Sequence, residues 1–334
     1  MVAVKITLLA FMCAFIAQLD CNFSLYFYNL VKPASKIFDS KDEFFGKNFW
    51  VTGASSGIGR DLAFRLATVH RANVIVSGRR SHELQSLKDE IENVVNSGAA
   101  KIIPFDQTDD DDVVIEAVKA AISAFGGVDV LVLNAGLTQR LPALKTPIGD
   151  TRKLINLNFA SQVLIAQQLI LLDNWETKGN NSNRHIVVTS SVAGKLPVAL
   201  SSSYAASKAA LNGYFQSLRS ELPWLRVDLV CPGPVATDIH LKSITTKGHN
   251  SVETKDRKMS VERHTSLLIS QMKNFELLSF ESWISPQPVL LFTAIGQYMP
   301  TLTFKLSKIV GVGRVNAFIN GGDVYDFKKQ FFGF

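Results

Sequence analysis

The stretch Thr52-Gly53-Ala54-Ser55-Ser56-Gly57-Ile58-Gly59 limits what this chain can fold into more than any other. It comes after an apolar run, Lys47 to Gly53, that reads as a strand, and it opens a helical pattern from Gly57 to about His70. Glycines between a strand end and a helix start form a cradle for phosphates. Gly53 permits the tight turn, while Gly57 and Gly59 let backbone approach a pyrophosphate and let the helix pack on the sheet. Ser55, Ser56 and Ile58 complete the candidate loop. A glycine-rich turn without a ligand has the same spacing, so the reading depends on the rest of the chain.

Beyond this loop the chain alternates strand and helix with short connections. Strands are expected at Asn73 to Ser77, Ala100 to Phe105, Val128 to Leu133, His185 to Ser190 and Arg226 to Cys231. Between them lie helices at Ser81 to Asn96, Asp109 to Phe125, Asp150 to Leu172 and Ser203 to Leu222. The strands are continuous apolar runs, as in a parallel sheet covered on both faces. The fold class is therefore α/β: a Rossmann-type doubly wound parallel sheet in a single domain, expected over residues 44–290. A core within 334 residues needs neither disulfide nor metal, and the three cysteines, Cys13, Cys21 and Cys231, show no metal spacing. The formal charge of +6 is mild and scattered, which argues against nucleic acid as a partner.

The end of the second strand bears on the choice of dinucleotide. An NAD site places an acidic residue there for the ribose hydroxyls. This chain has Ser77-Gly78-Arg79-Arg80, and guanidinium groups suit a 2′-phosphate. Arg79 is the main candidate, with Arg80 and Arg60 as helpers, so NADP(H) is expected over NAD(H). Asp106, just past the third strand, can accept from the adenine amino group, or can simply be a turn aspartate ahead of the next helix. Asn134, in Asn134-Ala135-Gly136, can tie neighbouring strand ends together where the dinucleotide passes.

Four residues gather the chemistry. Tyr204 and Lys208 are four apart on one helix and share a face. A phenol ordinarily ionises near pH ~10, and an adjacent ammonium favours the phenolate. Tyr204 can then serve as general acid toward a carbonyl or general base toward an alcohol, and Lys208 can also bond the nicotinamide ribose. Ser191, at the end of the fifth strand, can donate to the substrate oxygen as charge builds there. Asn158, on the long preceding helix, can hold a water that links Lys208 to solvent. Each residue alone has an ordinary structural explanation; together, in this order, they form an acid–base constellation.

These motifs, with Pro232-Gly233-Pro234-Val235 and Thr237 after the sixth strand, resemble the short-chain dehydrogenase/reductase family from about Phe44 to Thr237. The resemblance implies a hydride-transferring enzyme in which Thr237 and the backbone before it meet the nicotinamide carboxamide. The hydrophobic N-terminus and the arginine pair are similar to the membrane-associated branch that includes the 11-beta-hydroxysteroid dehydrogenases. Met259 to Arg263, Trp283 to Pro288 and Gln297 to Pro300 resemble one subgroup of it. That branch implies a lipophilic substrate (a steroid, retinoid or xenobiotic carbonyl, or the corresponding secondary alcohol) and the endoplasmic reticulum membrane; a homodimer is an open alternative. No catalytic metal is expected. Two alternatives remain open at this point: an NAD-linked alcohol dehydrogenase of the same fold, and a membrane scaffold that binds the dinucleotide without turnover.

Both ends stand apart from the domain. Ile6 to Leu19 is almost wholly apolar, and the aromatic band after Cys21 suits a membrane interface. Residues 1–35 are expected to be an uncleaved signal anchor; a cleaved signal peptide is the alternative and would make the chain secreted. The polar stretch from His240 to Lys258 reads as a loop over the substrate or as a solvated insertion. A helix from Ser260 to Leu278 and a last strand from Phe280 to Ile284 come next. Residues 291–334 form an apolar extension, and twelve of the thirty-two aromatics lie from Phe275 onward. That extension walls a pocket for a bulky apolar substrate, or lies against membrane or a second subunit.

Overall fold

The computed structural model describes residues 19–21, 42–178, 184–196, 198–239, 243–245, 258–273 and 281–324. Most of the expected N-terminal anchor and most of the 240–258 loop lie outside the described residues.

Seven parallel strands form one sheet in the order β3-β2-β1-β4-β5-β6-β7. They are β1 Asn48–Thr52, β2 Asn73–Gly78, β3 Ala100–Pro104, β4 Val130–Leu133, β5 His185–Thr189, β6 Arg226–Pro232 and β7 Glu281–Ile284. Helices α1 Gly57–Thr68, α2 Ser81–Glu92 and α3 Asp111–Phe125 separate the first four strands. Then come α4 Ile148–Leu172, α5 Ser202–Glu221 and α6 Val261–Lys273. Two further helices, α7 Val289–Tyr298 and α8 Pro300–Ile319, come after the last strand. The chain order reverses between β1 and β4, which opens a crevice at their carboxyl ends, the usual ligand position in such sheets.

The strands bury both faces, so successive residues serve opposite layers. On β1, Phe49 and Val51 join Leu62, Leu66 and Leu84 on one side of the sheet. Trp50 between them joins Val118, Leu131, Ile165 and Phe215 on the other. All of these side chains are fully or almost fully enclosed, worth roughly 1.5–3 kcal/mol apiece for the larger ones. The Trp50 ring nitrogen donates to Ser77 Oγ at 2.9 Å, so its one polar atom is satisfied inside the core.

Two departures from simple periodicity matter for the site. The long helix α4 is present, but Asn156–Ala160 forms a π-turn in its middle. The disrupted carbonyls are recovered locally: Ser161 Oγ donates to Asn156 O and Leu157 O, and Gln162 Nε2 donates to Leu157 O. Although α4 is long and apolar enough to cross a membrane, half of it is buried, and it packs as a core helix. The second departure lies in the C-terminal apolar run, which divides at Met299 and Pro300 because a proline starts α8. Helix α7 begins at Val289, two residues before the extension expected at 291.

The described residues of the expected N-terminal segment, 19–21, are seated on the domain. Cys21 is fully buried in an antiparallel bridge with Ile284, at the free edge of the sheet. The Ser285 amide donates to Asp20 O at 2.9 Å, and Arg263 pairs with the Asp20 carboxylate at 2.8 Å.

Candidate active site

The crevice between β1 and β4 opens into a cavity of about 470 Å3 that continues to the inner faces of α7 and α8. At its dinucleotide end, Gly53 has φ +66, and a Cβ there would stand 2.7 Å from Ala135 Cα. A Cβ on Gly59 would collide with the Asn134 amide nitrogen and Gly53 O. The two strand ends can meet only because these positions carry no side chain. Asn134 completes the junction: its backbone N–H donates to Thr52 Oγ1 at 3.0 Å, and its Nδ2 donates to Thr52 O at 3.2 Å. Ser55, Ser56, Gly57, Ile58 and Thr237 line the cavity, with the Thr237 methyl packed on Gly57. No acidic residue occupies the first turn of α1, so its amide end stays open to an anion.

The three arginines of the sequence expectation take three different positions. Arg80 Nη2 donates to Ser55 O at 3.1 Å and to the hydroxyls of Ser55 and Ser56 at 2.9 Å each. It is therefore folded onto the glycine loop itself. Arg79 is more exposed and lies 3.4 Å from the Asp106 carboxylate across the same end of the cavity. Arg60 turns away: its guanidinium pairs with Glu90 at 2.7 Å and lies outside the cavity lining. Asp106 accepts from the N–H and hydroxyl of Thr108 at 3.0 and 2.8 Å. Partial burial pushes its carboxyl up, but the Thr108 bonds and Arg79 outweigh this and hold it below the usual carboxylate range.

At the opposite side of the crevice, Ser191 lies two residues past β5 as the N-cap of a short 3-10 turn, where its Oγ accepts from the Ala193 N–H at 3.1 Å. Tyr204 and Lys208 rise one helical turn apart on α5, and Ser191, Tyr204 and Lys208 all line the cavity. Lys208 is almost wholly buried, and its Nζ donates to Thr189 O at 2.8 Å. Burial lowers its ammonium to about 8, against an ordinary lysine value of ~10.4. Asn158 is fully buried in the π-turn of α4 and outside the cavity lining. Its Oδ1 accepts from Leu137 N–H at 2.9 Å, while Nδ2 donates to Leu137 O at 2.9 Å and Ser207 Oγ at 3.0 Å. The Asn158 side chain thus braces the β4 loop against α5.

The residues present fit a dinucleotide: a cradle that a Cβ would fill, a helix end without a competing carboxylate, and a guanidinium seated on two loop hydroxyls. Several supporting residues carry no local sequence signal. Gln107 and Gln162 are joined by an amide hydrogen bond of 2.7 Å beneath the crevice. Lys195 pairs with Glu281 at 2.7 Å, which ties the turn after Ser191 to β7. Gln297 on α7 donates to Lys195 O at 3.2 Å. Their partners are remote in sequence, so no spacing could have announced them.

A model of the short chain dehydrogenase family matches residues 47–248, and the chain belongs to that family of nicotinamide-dependent oxidoreductases. Within it, the chain is 37% identical over 287 residues to human dehydrogenase/reductase SDR family member 7, covering 82% of this chain and 80% of that protein. The mouse protein of the same name is 38% identical over 285 residues, with the same coverage. Zebrafish family member 7B is 33% identical over 203 residues, covering 59% of this chain and 64% of that one. Among solved structures, a Burkholderia phymatum short chain dehydrogenase/reductase in complex with NAD superposes with a TM-score of 0.65 at 22% identity. It covers 78% of this chain and 96% of the other. A Thermococcus sibiricus alcohol dehydrogenase complexed with 5-hydroxy-NADP gives 0.61 at 20% identity, over 72% and 97%. Both establish the fold.

Proposed function

We propose that this chain is an NADP(H)-dependent oxidoreductase acting on a carbonyl or secondary alcohol of a lipophilic substrate, with Tyr204 as the general acid–base. One observation carries the reading: the buried Lys208 stands one turn from Tyr204 in a cavity that runs unbroken to the Arg80-braced loop. The nicotinamide ring, when bound, supplies or accepts the hydride. Tyr204 gives its hydroxyl proton to the substrate oxygen in reduction and takes it back in oxidation. The Lys208 ammonium lowers the cost of the phenolate, and Ser191 Oγ donates to the same oxygen. Arg80, with Arg79 beside it, would hold the 2′-phosphate. Val289, Phe292, Leu306 and Val310 give the substrate end an apolar wall, which supports a steroid, retinoid or xenobiotic carbonyl.

The same reading places the protein at the endoplasmic reticulum membrane through its N-terminal segment. Exposed Tyr298, Met299, Leu302, Phe304 and Ile309 near the α7–α8 junction support it. The test is NADPH consumption over a panel of lipophilic ketones and aldehydes, with Tyr204→Phe alongside. The variant is expected to lose activity by about 10²- to 10⁴-fold while its fluorescence titration with NADPH is unchanged. Wild-type protein that binds NADPH and never consumes it would establish the scaffold alternative. Arg80→Ala removes the brace on the loop and is expected to weaken both cofactors, but to raise the NADPH dissociation constant at least about tenfold more than that for NADH. Equal effects on both would defeat the NADP(H) assignment.

A further inference from the structure

Tyr204 is the third residue of α5, so its backbone N–H is among those that no intrahelical carbonyl can satisfy. Ordinarily the N-cap side chain accepts from the second or third helical amide. Here the N-cap residue, Ser201, makes no such bond; its Oγ donates to Gln139 O at 3.2 Å. The first turn also contains no acidic residue. The missing acceptor comes from 64 residues upstream. Gln139 Oε1 receives the N–H of Ser203 at 2.9 Å and that of Tyr204 at 3.3 Å. The Gln139 side chain thus does across the fold what an N-cap does within a helix.

Gln139 is fully buried, and its surroundings leave the amide one orientation. Nε2 donates to Thr146 Oγ1 at 2.5 Å, and Thr146 Oγ1 in turn donates to Pro142 O at 3.0 Å. With the nitrogen committed to Thr146, the oxygen must face α5. The Gln139 backbone is held as well. It forms a parallel bridge with Ile244, where the Ile244 N–H donates to Thr138 O at 3.0 Å and the Arg140 N–H to Ile244 O at 2.9 Å. Its neighbours Thr138 and Arg140 line the cavity, while Ile244 belongs to the segment after β6. One residue therefore connects three things: the loop after β4, the segment after β6 and the start of the helix that carries the phenol.

We propose that Gln139 is a positioning residue for Tyr204, acting through the Ser203 and Tyr204 amides to fix where the phenol enters the cavity. The role rests on the proposed function, in which Tyr204 transfers the proton. Gln139 acts through the helix and not on substrate or cofactor, so its removal should act on turnover and spare dinucleotide affinity.

The experiment compares Gln139→Leu, Gln139→Glu and Thr146→Val in the full chain by steady-state kinetics, NADPH fluorescence titration and amide hydrogen exchange of residues 202–208. Gln139→Leu is expected to lower kcat about tenfold or more, to leave the NADPH dissociation constant within about twofold, and to speed exchange at Ser203 and Tyr204. Gln139→Glu keeps an acceptor oxygen at the same reach and is expected to restore slow exchange and most of kcat. Thr146→Val releases only the far end of the amide and should change kcat in the same direction by a few-fold, which keeps the idea open to test if Gln139→Leu fails to fold. Wild-type kcat and exchange in Gln139→Leu would overturn the proposal. So would a kcat loss that Gln139→Glu does not reverse. If wild-type protein shows no turnover at all, the proposed reaction fails, while the exchange data still decide whether Gln139 caps the helix.

Discussion

The two ends of the cavity are built on different principles. The dinucleotide end is made of backbone: glycines that let β1 and β4 ends meet, helix amides without a competing acid, and an arginine laid on loop hydroxyls. The substrate end is made of side chains on separate elements, held together by contacts such as Gln297 to Lys195 and Lys195 to Glu281. A site built this way tolerates little change, because an added Cβ at Gly53 or Gly59 meets main chain within 2.7 Å. A side-chain-built site can be altered one contact at a time, so specificity can be tuned there without loss of the cofactor.

The sharpest way to break that contrast is Gly53→Ala. The left-handed backbone at this position costs an alanine about 1 kcal/mol, and its methyl would lie 2.7 Å from Ala135 Cα, an atom that cannot yield without moving the end of β4. The expected result is at least a hundredfold loss in NADPH affinity together with a lowered melting temperature, measured by fluorescence titration and thermal unfolding. Near-normal affinity would mean that the dinucleotide end can absorb an added methyl and is not rigid.

Lys208 sits where the two ends meet, and its burial should set stability against function. A lysine whose ammonium is depressed to about 8 in the fold destabilises the folded state below that pH, because the protonated form prefers the unfolded chain. The penalty is complete below about 8 and is relieved as pH rises toward ~10.4, the unfolded value. Lys208→Met is therefore expected to melt higher than wild type at pH 7, by up to about 3 kcal/mol of stability, with the gap closing by pH 10. Its kcat should fall by about a hundredfold in the same preparation. A variant less stable than wild type at pH 7 would mean that the bond from Lys208 to Thr189 O outweighs the burial of the charge.

The same division explains what can be read from the chain. The sheet is legible because continuous apolar runs such as Val74-Ile75-Val76 have no other stable use in a chain of this length. The dinucleotide loop is legible because its requirements are local: a tight turn, a close approach and a helix start within eight residues. Tyr204 and Lys208 share one helix face, so their spacing survives in the sequence. Sequence alone ranks Arg80 behind Arg79 because both stand at the same strand end, and only the path of the chain decides which one folds back on Ser55 and Ser56. Asn158 is found by type and position, but the π-turn that aims it leaves no periodic trace. Gln139 escapes a sequence reading altogether, since an amide that caps a helix 64 residues away looks like any other loop glutamine.

The smallest effect expected comes from Gln297→Ala. Gln297 Nε2 donates to Lys195 O at 3.2 Å, joining α7 to the turn after Ser191. The residue is exposed, so a water can replace the lost donor, and the stability change should stay near or below about 1 kcal/mol. Its consequence should appear instead in substrate handling, because α7 carries Val289 and Phe292 on the cavity wall. KM for a bulky ketone is expected to rise by about two- to fivefold, while KM for a small aldehyde and for NADPH stays the same. If all three KM values rise together, α7 is coupled to the dinucleotide end, and the independence of the two ends is lost. If none changes, the turn after Ser191 is held by the Lys195–Glu281 pair alone, and specificity must be sought in α8.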